Sequence, residues 1–266
     1  MAPRVLELTT VKHAGALLVR RASDQVFPRH YHDEYGMGFI EAGAQRSASG
    51  RGQVEAGPGQ VITLNPGEIH DGEPAGAASR RWSMIYLAPA AIAEAWRHVD
   101  EGSGGDFEFS NPAVEDPLAR GLLAGLFRNV AAAMPEPLRY EELLVLLLSR
   151  LGCVRPPAAQ GTERRVARAK ALIDDDPTRA LSLADLAAEA GLSRFQTLRA
   201  FARVTGLTPH GYLLQRRLLL ARSLIIAGEP LPRAAAASGF YDQSHMSRVF
   251  RRCYGYTPGR LAKSMR

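Results

Sequence analysis

Two segments in the last hundred residues repeat each other in register, and no other feature of the 266-residue chain restricts its fold as much. An alanine-rich stretch at 183–190 predicts a short helix, Gly191-Leu192-Ser193 a turn, and 194–204 a second helix whose first turn Ser193 is placed to cap. The same order returns at 232–238, at Gly239-Phe240-Tyr241-Asp242 and at 243–253, with Asp242 standing 49 positions after Ser193. Arg248 and Phe250 likewise follow Arg199 and Phe201 by 49 residues, and Gly206-Leu207-Thr208-Pro209 is matched by Gly255-Tyr256-Thr257-Pro258. In both closing turns a threonine can cap and a proline can occupy the first position of the next helix. Helix, glycine turn, helix is the unit that presents its second helix to a major groove. One copy is a weak signal; two copies with matched caps predict a pair of DNA-reading heads. The segment 209–227 between them predicts a helix spanning roughly 30 Å, close to the 34–36 Å repeat of successive major grooves.

Helical spacing divides each second helix into faces. Thr197 and Phe201 turn to the core of the first, which leaves Arg194, Phe195, Leu198, Arg199 and Arg203 as candidates for DNA contact. Met246, Phe250 and His245 turn inward in the second, leaving Gln243, Ser244, Ser247, Arg248, Arg251 and Arg252. Arg199 and Arg248 are the first choices for base or adjacent phosphate contacts, because a guanidinium fork matches guanine O6/N7 or phosphate oxygens. Arg203 and Arg252 suit backbone phosphates, which position the protein without specifying sequence. Gln243 suits adenine or the backbone.

Charge follows the same division. Residues 1–161 hold 15 Lys+Arg against 19 Asp+Glu, whereas 162–266 hold 18 against 8. The basic excess therefore belongs to the segment that carries the repeat, as a polyanionic partner requires. No run of the chain is long and apolar enough for a membrane span, the N-terminus lacks the apolar core of a secretory signal, and two cysteines are too few for a disulfide scaffold. A cytoplasmic protein without membrane association is expected.

The first third reads differently. Short apolar stretches at 16–19, 37–40, 61–64 and 82–87, separated by Gly- and Pro-containing turns, predict an antiparallel all-β barrel or sandwich. Helices follow at 90–99, 117–134 and 138–151, with a loop at 102–105. The last helix carries six consecutive apolar residues, Leu143 to Leu148, too many for an open solvent face; it is expected to pack on the barrel and, in part, on a second subunit. The domains are set at 1–155, expected to dimerise, and 164–266, all-α, for DNA binding, with 156–163 as the linker.

The stretch from Gly239 to Arg252, followed by Gly255-Tyr256-Thr257-Pro258, closely resembles the signature of the AraC/XylS family of bacterial transcription regulators, and Leu181 through Pro209 matches the family's first head. Ala234 stands where the family often has Val or Ile, and Leu261 where it has an aromatic residue; both thin local packing and neither removes a groove-facing side chain. The N-terminal part resembles the family's cupin-like effector domain through His30-Tyr31-His32-Asp33-Glu34-Tyr35, Glu41-Ala42-Gly43 and Pro66-Gly67-Glu68-Ile69-His70. The resemblance implies a small-molecule effector inside a barrel, a homodimer, double-stranded promoter DNA as partner, and activation through RNA polymerase. Repression and effector-independent regulation use the same heads and are the alternatives.

Hydrogen bonding to a polar effector is the expected use of His30, His32, Tyr35 and His70, and Trp82 and Tyr86 alternate on one strand face where they can line a pocket or a core. Three imidazoles with Glu34 or Glu41 could instead hold Fe, Mn or Zn, which would make the chain a cupin enzyme fused to DNA-binding heads. Metal-binding cupins carry a carboxylate three or four residues after the second histidine; here Gly36 and Met37 stand near that position and Glu34 falls too early. No catalytic residue, metal or cofactor is therefore assigned.

Overall fold

In the computed structural model, residues 5–13, 16–76, 79–97, 99, 106–154 and 161–265 are described. They form two compact units, the main part of one lying before residue 155 and that of the other after residue 160.

The strands are β1 (Val5–His13), β2 (Ala16–Ser23), β3 (Phe27–His30), β4 (Tyr35–Ala42), β5 (Gln45–Ser49), β6 (Gly52–Ala56), β7 (Val61–Leu64), β8 (His70–Pro74), β9 (Arg80–Leu87), β10 (Phe107–Phe109), β11 (Ala113–Val114) and β12 (Gly152–Val154). Hydrogen bonding orders them as β1-β2-β9-β4-β7-β11, β3-β8-β5-β6 and the pair β10-β12. The expected barrel is overturned. Among the described residues no sheet closes on itself: β1 and β11 end one sheet and β3 and β6 end the other, so two open sheets replace one continuous wall. The period-2 pattern behind the expectation is the same for a barrel and for stacked sheets; closure depends on edge pairing, which alternation does not encode.

Alternation assigns the two faces of the six-stranded sheet. Trp82 and Met84 of β9 pack with Ile40, Phe27 and Ala56, so the inner faces of both sheets share one core. Ile85 and Leu87 face the other way and join Met37, Phe39 and Leu18 beneath α1 (Pro89–Trp96), α2 (Pro117–Ala131) and α3 (Pro137–Leu151). Gly38 serves the tight β4–β9 approach: a Cβ there would lie 2.0 Å from the Ser83 carbonyl oxygen and 2.4 Å from Met84 Sδ. Proline at N1 starts each of these helices. Asp116 caps α2 by accepting from the Leu118 and Ala119 amides and pairs with Arg150 of α3 at 2.5 Å. The hydrogen bond from Arg150 is the main reason its carboxyl lies below the usual aspartate range. The 102–105 loop lies outside the described residues.

In α3, Leu143, Leu144, Leu147 and Leu148 are buried against the chain's own core, which accounts for most of the leucine run. Leu138 and Leu146 remain exposed, at 69% and 51%.

The second unit is helical: α4 (Thr162–Asp175), α5 (Leu183–Ala190), α6 (Arg194–Thr205), α7 (Pro209–Ile226), α8 (Leu231–Ala237), α9 (Gln243–Tyr254) and α10 (Pro258–Ser264). α4 begins inside the 156–163 segment assigned to the linker, and residues 156–160 lie outside the described ones. α4 packs on α5 and α6, while α7 lies against both α6 and α9. Asp174 holds α4 to α7, accepting from Tyr212 Oη at 2.8 Å and pairing with Arg216 at 3.0 Å. With 18 residues α7 measures about 27 Å.

Candidate nucleic-acid interface

The two heads are capped by the same physics. Ser193 accepts from the Gln196 amide while the Gln196 side chain accepts from the Ser193 amide, a complete capping box at the start of α6. Asp242 accepts from the His245 amide at 2.6 Å at the start of α9. Each second helix ends on a left-handed glycine, Gly206 at φ 76° and Gly255 at φ 72°, a conformation that costs any other L-residue steric strain. The turns before them use Gly191 at φ 62° and Gly239 at φ 77°. At Gly239 space is also closed, since a Cβ would sit 3.1 Å from the Thr178 Cα.

These caps fix which faces the helices expose. Thr197, Phe201, Met246 and Phe250 are wholly buried, as their spacing predicts. Arg194, Phe195, Leu198, Arg199 and Arg203 are exposed along α6, and Gln243, Ser244, Arg248, Arg251 and Arg252 along α9; Ser247 is half-buried. His245 is half-buried and packs edge-on against Phe240 at 5.3 Å. Phe195 stands 67% exposed with the Arg199 guanidinium 5.5 Å from its ring centre. A large apolar ring left in water on a basic helix acts as a platform that restricts the arginine stacked over it. Leu198 also borders a cavity of about 300 Å³ with Leu181, Leu186 and Leu213, so it serves the head's packing as well as its outer face.

One exposed residue escaped the sequence reading. Tyr241, 93% exposed, projects from the turn one residue before the α9 cap. No short-range signal marks it: Phe240, between the same glycine and the same cap, is buried, and the sequence alone does not tell which of the two rings faces out. Ala234 and Leu261, the two family departures, are both fully buried, so each fills a core position with a smaller side chain than the family's usual one.

His30, His32 and His70 come together, each offering a ring nitrogen within 4.8 Å of the others. The Tyr86 ring lies 5.0 Å from that of His32. The other effector candidates lie elsewhere. Tyr35 sits on the opposite face of β4, in the core beneath the helices, donating its hydroxyl to the Phe107 carbonyl at 2.7 Å. Trp82 packs against Phe27 at 6.1 Å, with Arg21 and Arg80 stacked on both rings. Burial first, and then the neighbouring Arg21 charge, lowers the Arg80 pKa to about 10. The sequence analysis gives that buried pair no role, because no short-range signal sets Arg21 and Arg80 apart from their neighbours Arg20 and Arg81. Burial also holds the His70 imidazole below the ordinary histidine value, against the opposing pull of the Glu68 carbonyl and the Glu68 and Asp71 charges.

Comparison with known proteins covers both units. Residues 13–148 match the AraC-like ligand binding domain, and residues 186–264 match a helix-turn-helix domain. The chain is 29% identical to the uncharacterized HTH-type transcriptional regulator YbfI of Bacillus subtilis, over 84% of this chain and 82% of that protein. It is 25% identical to the HTH-type transcriptional activator RhaS of Klebsiella pneumoniae, over 90% of this chain and 88% of that one. The crystal structure of unsaturated fatty acid-bound ToxT from Vibrio cholerae shares the fold, with a TM-score of 0.63 at 15% identity, covering 94% of this chain and 95% of that one. None of the described helices is long and apolar enough to cross a membrane. The matches at both ends, together with the repeated capped heads, give one conclusion: this chain belongs to the AraC/XylS family of DNA-binding transcription regulators.

Proposed function

We propose that the chain is a cytoplasmic promoter-binding activator that works as a homodimer and responds to a small effector held by its first unit. The observation that carries this reading is the repeated guanidinium, Arg199 and Arg248, exposed at the same place on two separately capped helices. Two heads joined by a helix of about 27 Å can enter neighbouring major grooves on one face of the duplex. Arg199 and Arg248 read base edges or the phosphates beside them, Gln243 reads an adenine or the backbone, and Arg194, Arg203, Arg251 and Arg252 hold phosphates. Phe195, Leu198, Ser244 and Ser247 complete the two faces. RhaS is a transcriptional activator and one ToxT structure holds an unsaturated fatty acid, which supports activation and a small organic effector here; contact with RNA polymerase is the proposed route of activation.

The test is a selection of genomic fragments by the purified chain at a stated salt concentration, read by sequencing. Discrete enriched fragments upstream of genes support the reading. Uniform, salt-sensitive enrichment reduces the second unit to a non-specific basic domain.

The homodimer is supported by Leu138 and Leu146, large apolar side chains left exposed on α3. The full chain is expected to sediment as a dimer, and Leu146→Glu to shift it to monomer at the same concentration while leaving the circular dichroism spectrum unchanged. A variant that stays dimeric moves the subunit contact off this face.

A further inference from the structure

We propose that His30, His32 and His70 form a binding site for a divalent transition-metal ion of the imidazole-preferring class, such as Zn²⁺, Co²⁺ or Ni²⁺, and that this ion is the signal to which the regulator responds. The ion's role as signal rests on the regulator reading above; its binding does not.

All three imidazoles are buried, and one ring nitrogen from each lies within 4.8 Å of the others. β3 and β8 are neighbours in one sheet, with His30 the last residue of one strand and His70 the first of the other. His32 follows two residues later and is tied to the same turn, because the Gly67 amide donates to the His32 carbonyl at 2.8 Å.

The outer contacts set the tautomers. His30 Nδ1 lies 2.8 Å from the Pro28 carbonyl oxygen, and His70 Nδ1 lies 2.9 Å from that of Glu68. A carbonyl only accepts, so in both rings Nδ1 carries the proton and the basic lone pair is on Nε2. A backbone carbonyl holding one nitrogen while the other ligates is the arrangement found around protein-bound metals. The Glu68 carbonyl is itself held in place: its side chain pairs with Arg51 at 2.6 and 3.1 Å, and Arg51 donates to the Phe109 carbonyl at 2.6 Å. Burial of neutral imidazoles favours a cation that binds uncharged nitrogen. Hard cations such as Mg²⁺ and Ca²⁺ prefer oxygen, so the donor set selects against them. Zinc–nitrogen bonds of about 2.0–2.1 Å put tetrahedral ligands roughly 3.4 Å apart, so side-chain rotations of the order of 1 Å complete the site. Three ligands leave one coordination position for water or a small anion.

The test uses the full chain, stripped with chelator and titrated with Co²⁺, whose visible d–d absorption reports low-coordinate nitrogen ligation. One equivalent is expected to bind, to be displaced by Zn²⁺, and to be weakened at least ~100-fold by His32→Gln or by His70→Gln. His210→Gln, at the exposed start of α7, is expected to bind as wild type does. A wild-type chain that retains no metal, or histidine variants that bind with unchanged affinity, overturns the site. Should both variants lose the native circular dichroism spectrum, X-ray absorption of the zinc-loaded wild type decides: a three-imidazole shell supports the site and an all-oxygen shell overturns it.

The stripped and loaded chains then enter the fragment selection. A difference of at least about 5-fold in affinity for the selected fragments is expected, and equal affinities overturn the ion's role as signal. A chain that binds cobalt but selects no fragment defeats the regulator reading alone. A chain that selects fragments but holds no metal defeats this inference alone.

Discussion

Arg199→Ala and Arg248→Ala together are expected to lower affinity for a selected promoter fragment by roughly 30- to 10⁴-fold, since each well-placed guanidinium–base pair discriminates by about 1–3 kcal/mol. Stability should hardly change. Both side chains are exposed, and surface substitutions of this kind usually fall within about 0.5 kcal/mol. The packing lost includes the stack of Arg199 over Phe195, which at an exposed site is worth about 0.5–1 kcal/mol. Fluorescence anisotropy across a salt series separates this pair from the other arginines. Arg203→Ala or Arg252→Ala should weaken binding to all sequences alike and reduce the slope of log affinity against log salt by about 1. The double variant should instead lose preference between the selected fragment and a scrambled one. Unchanged preference would remove Arg199 and Arg248 from sequence reading and leave them as backbone contacts.

The parts that were legible in the sequence were those written in local code. The heads could be read because caps, glycines and proline positions are short-range signals, and because Phe201 and Phe250 recur at one spacing. The exposed faces of α6 and α9 follow from 3.6-residue periodicity alone. The first unit was less legible for the opposite reason. Each strand's inward face can be read from alternation, as with Trp82 and Met84, but which edges meet depends on pairings far apart in sequence, such as β4 with β9. The expected barrel failed at that step. Tyr35 shows the same limit. It lies three residues beyond His32 in sequence, yet β4 turns it to the helix side of the sheet and away from the three histidines. Arg80 could not be recognised as buried, because the Gln45 side chain and the Gln25 carbonyl that accept its hydrogen bonds lie 35 and 55 residues away. The metal reading was set aside in the sequence for want of a carboxylate at one spacing. Folding supplies instead what spacing could not show, a pair of backbone carbonyls holding two of the rings.

Phe250→Ala should separate folding from reading in the second head. The ring is wholly buried, with Tyr254 at 4.6 Å and Tyr256 at 5.6 Å, and its removal is expected to cost about 3–5 kcal/mol. For a helical unit of this size each kcal/mol lowers Tm by about 4–8 °C, so the loss should be plain in a thermal melt followed by circular dichroism. Phe201→Ala is the matching change in the first head, where the ring packs on Tyr212 at 5.5 Å. Because α7 lies against both α6 and α9, it is the helix through which damage to one head is expected to reach the other. DNase footprints on a selected fragment should therefore shorten from opposite ends in the two phenylalanine variants, each losing protection over the half-site of its own head. The arginine variants provide the contrast, with protection lost and melting unchanged. If Phe250→Ala melts like wild type, the buried aromatic cluster is not what holds α9 in place, and the 49-residue repeat would mark common ancestry of the two heads without a shared physical role for their phenylalanines.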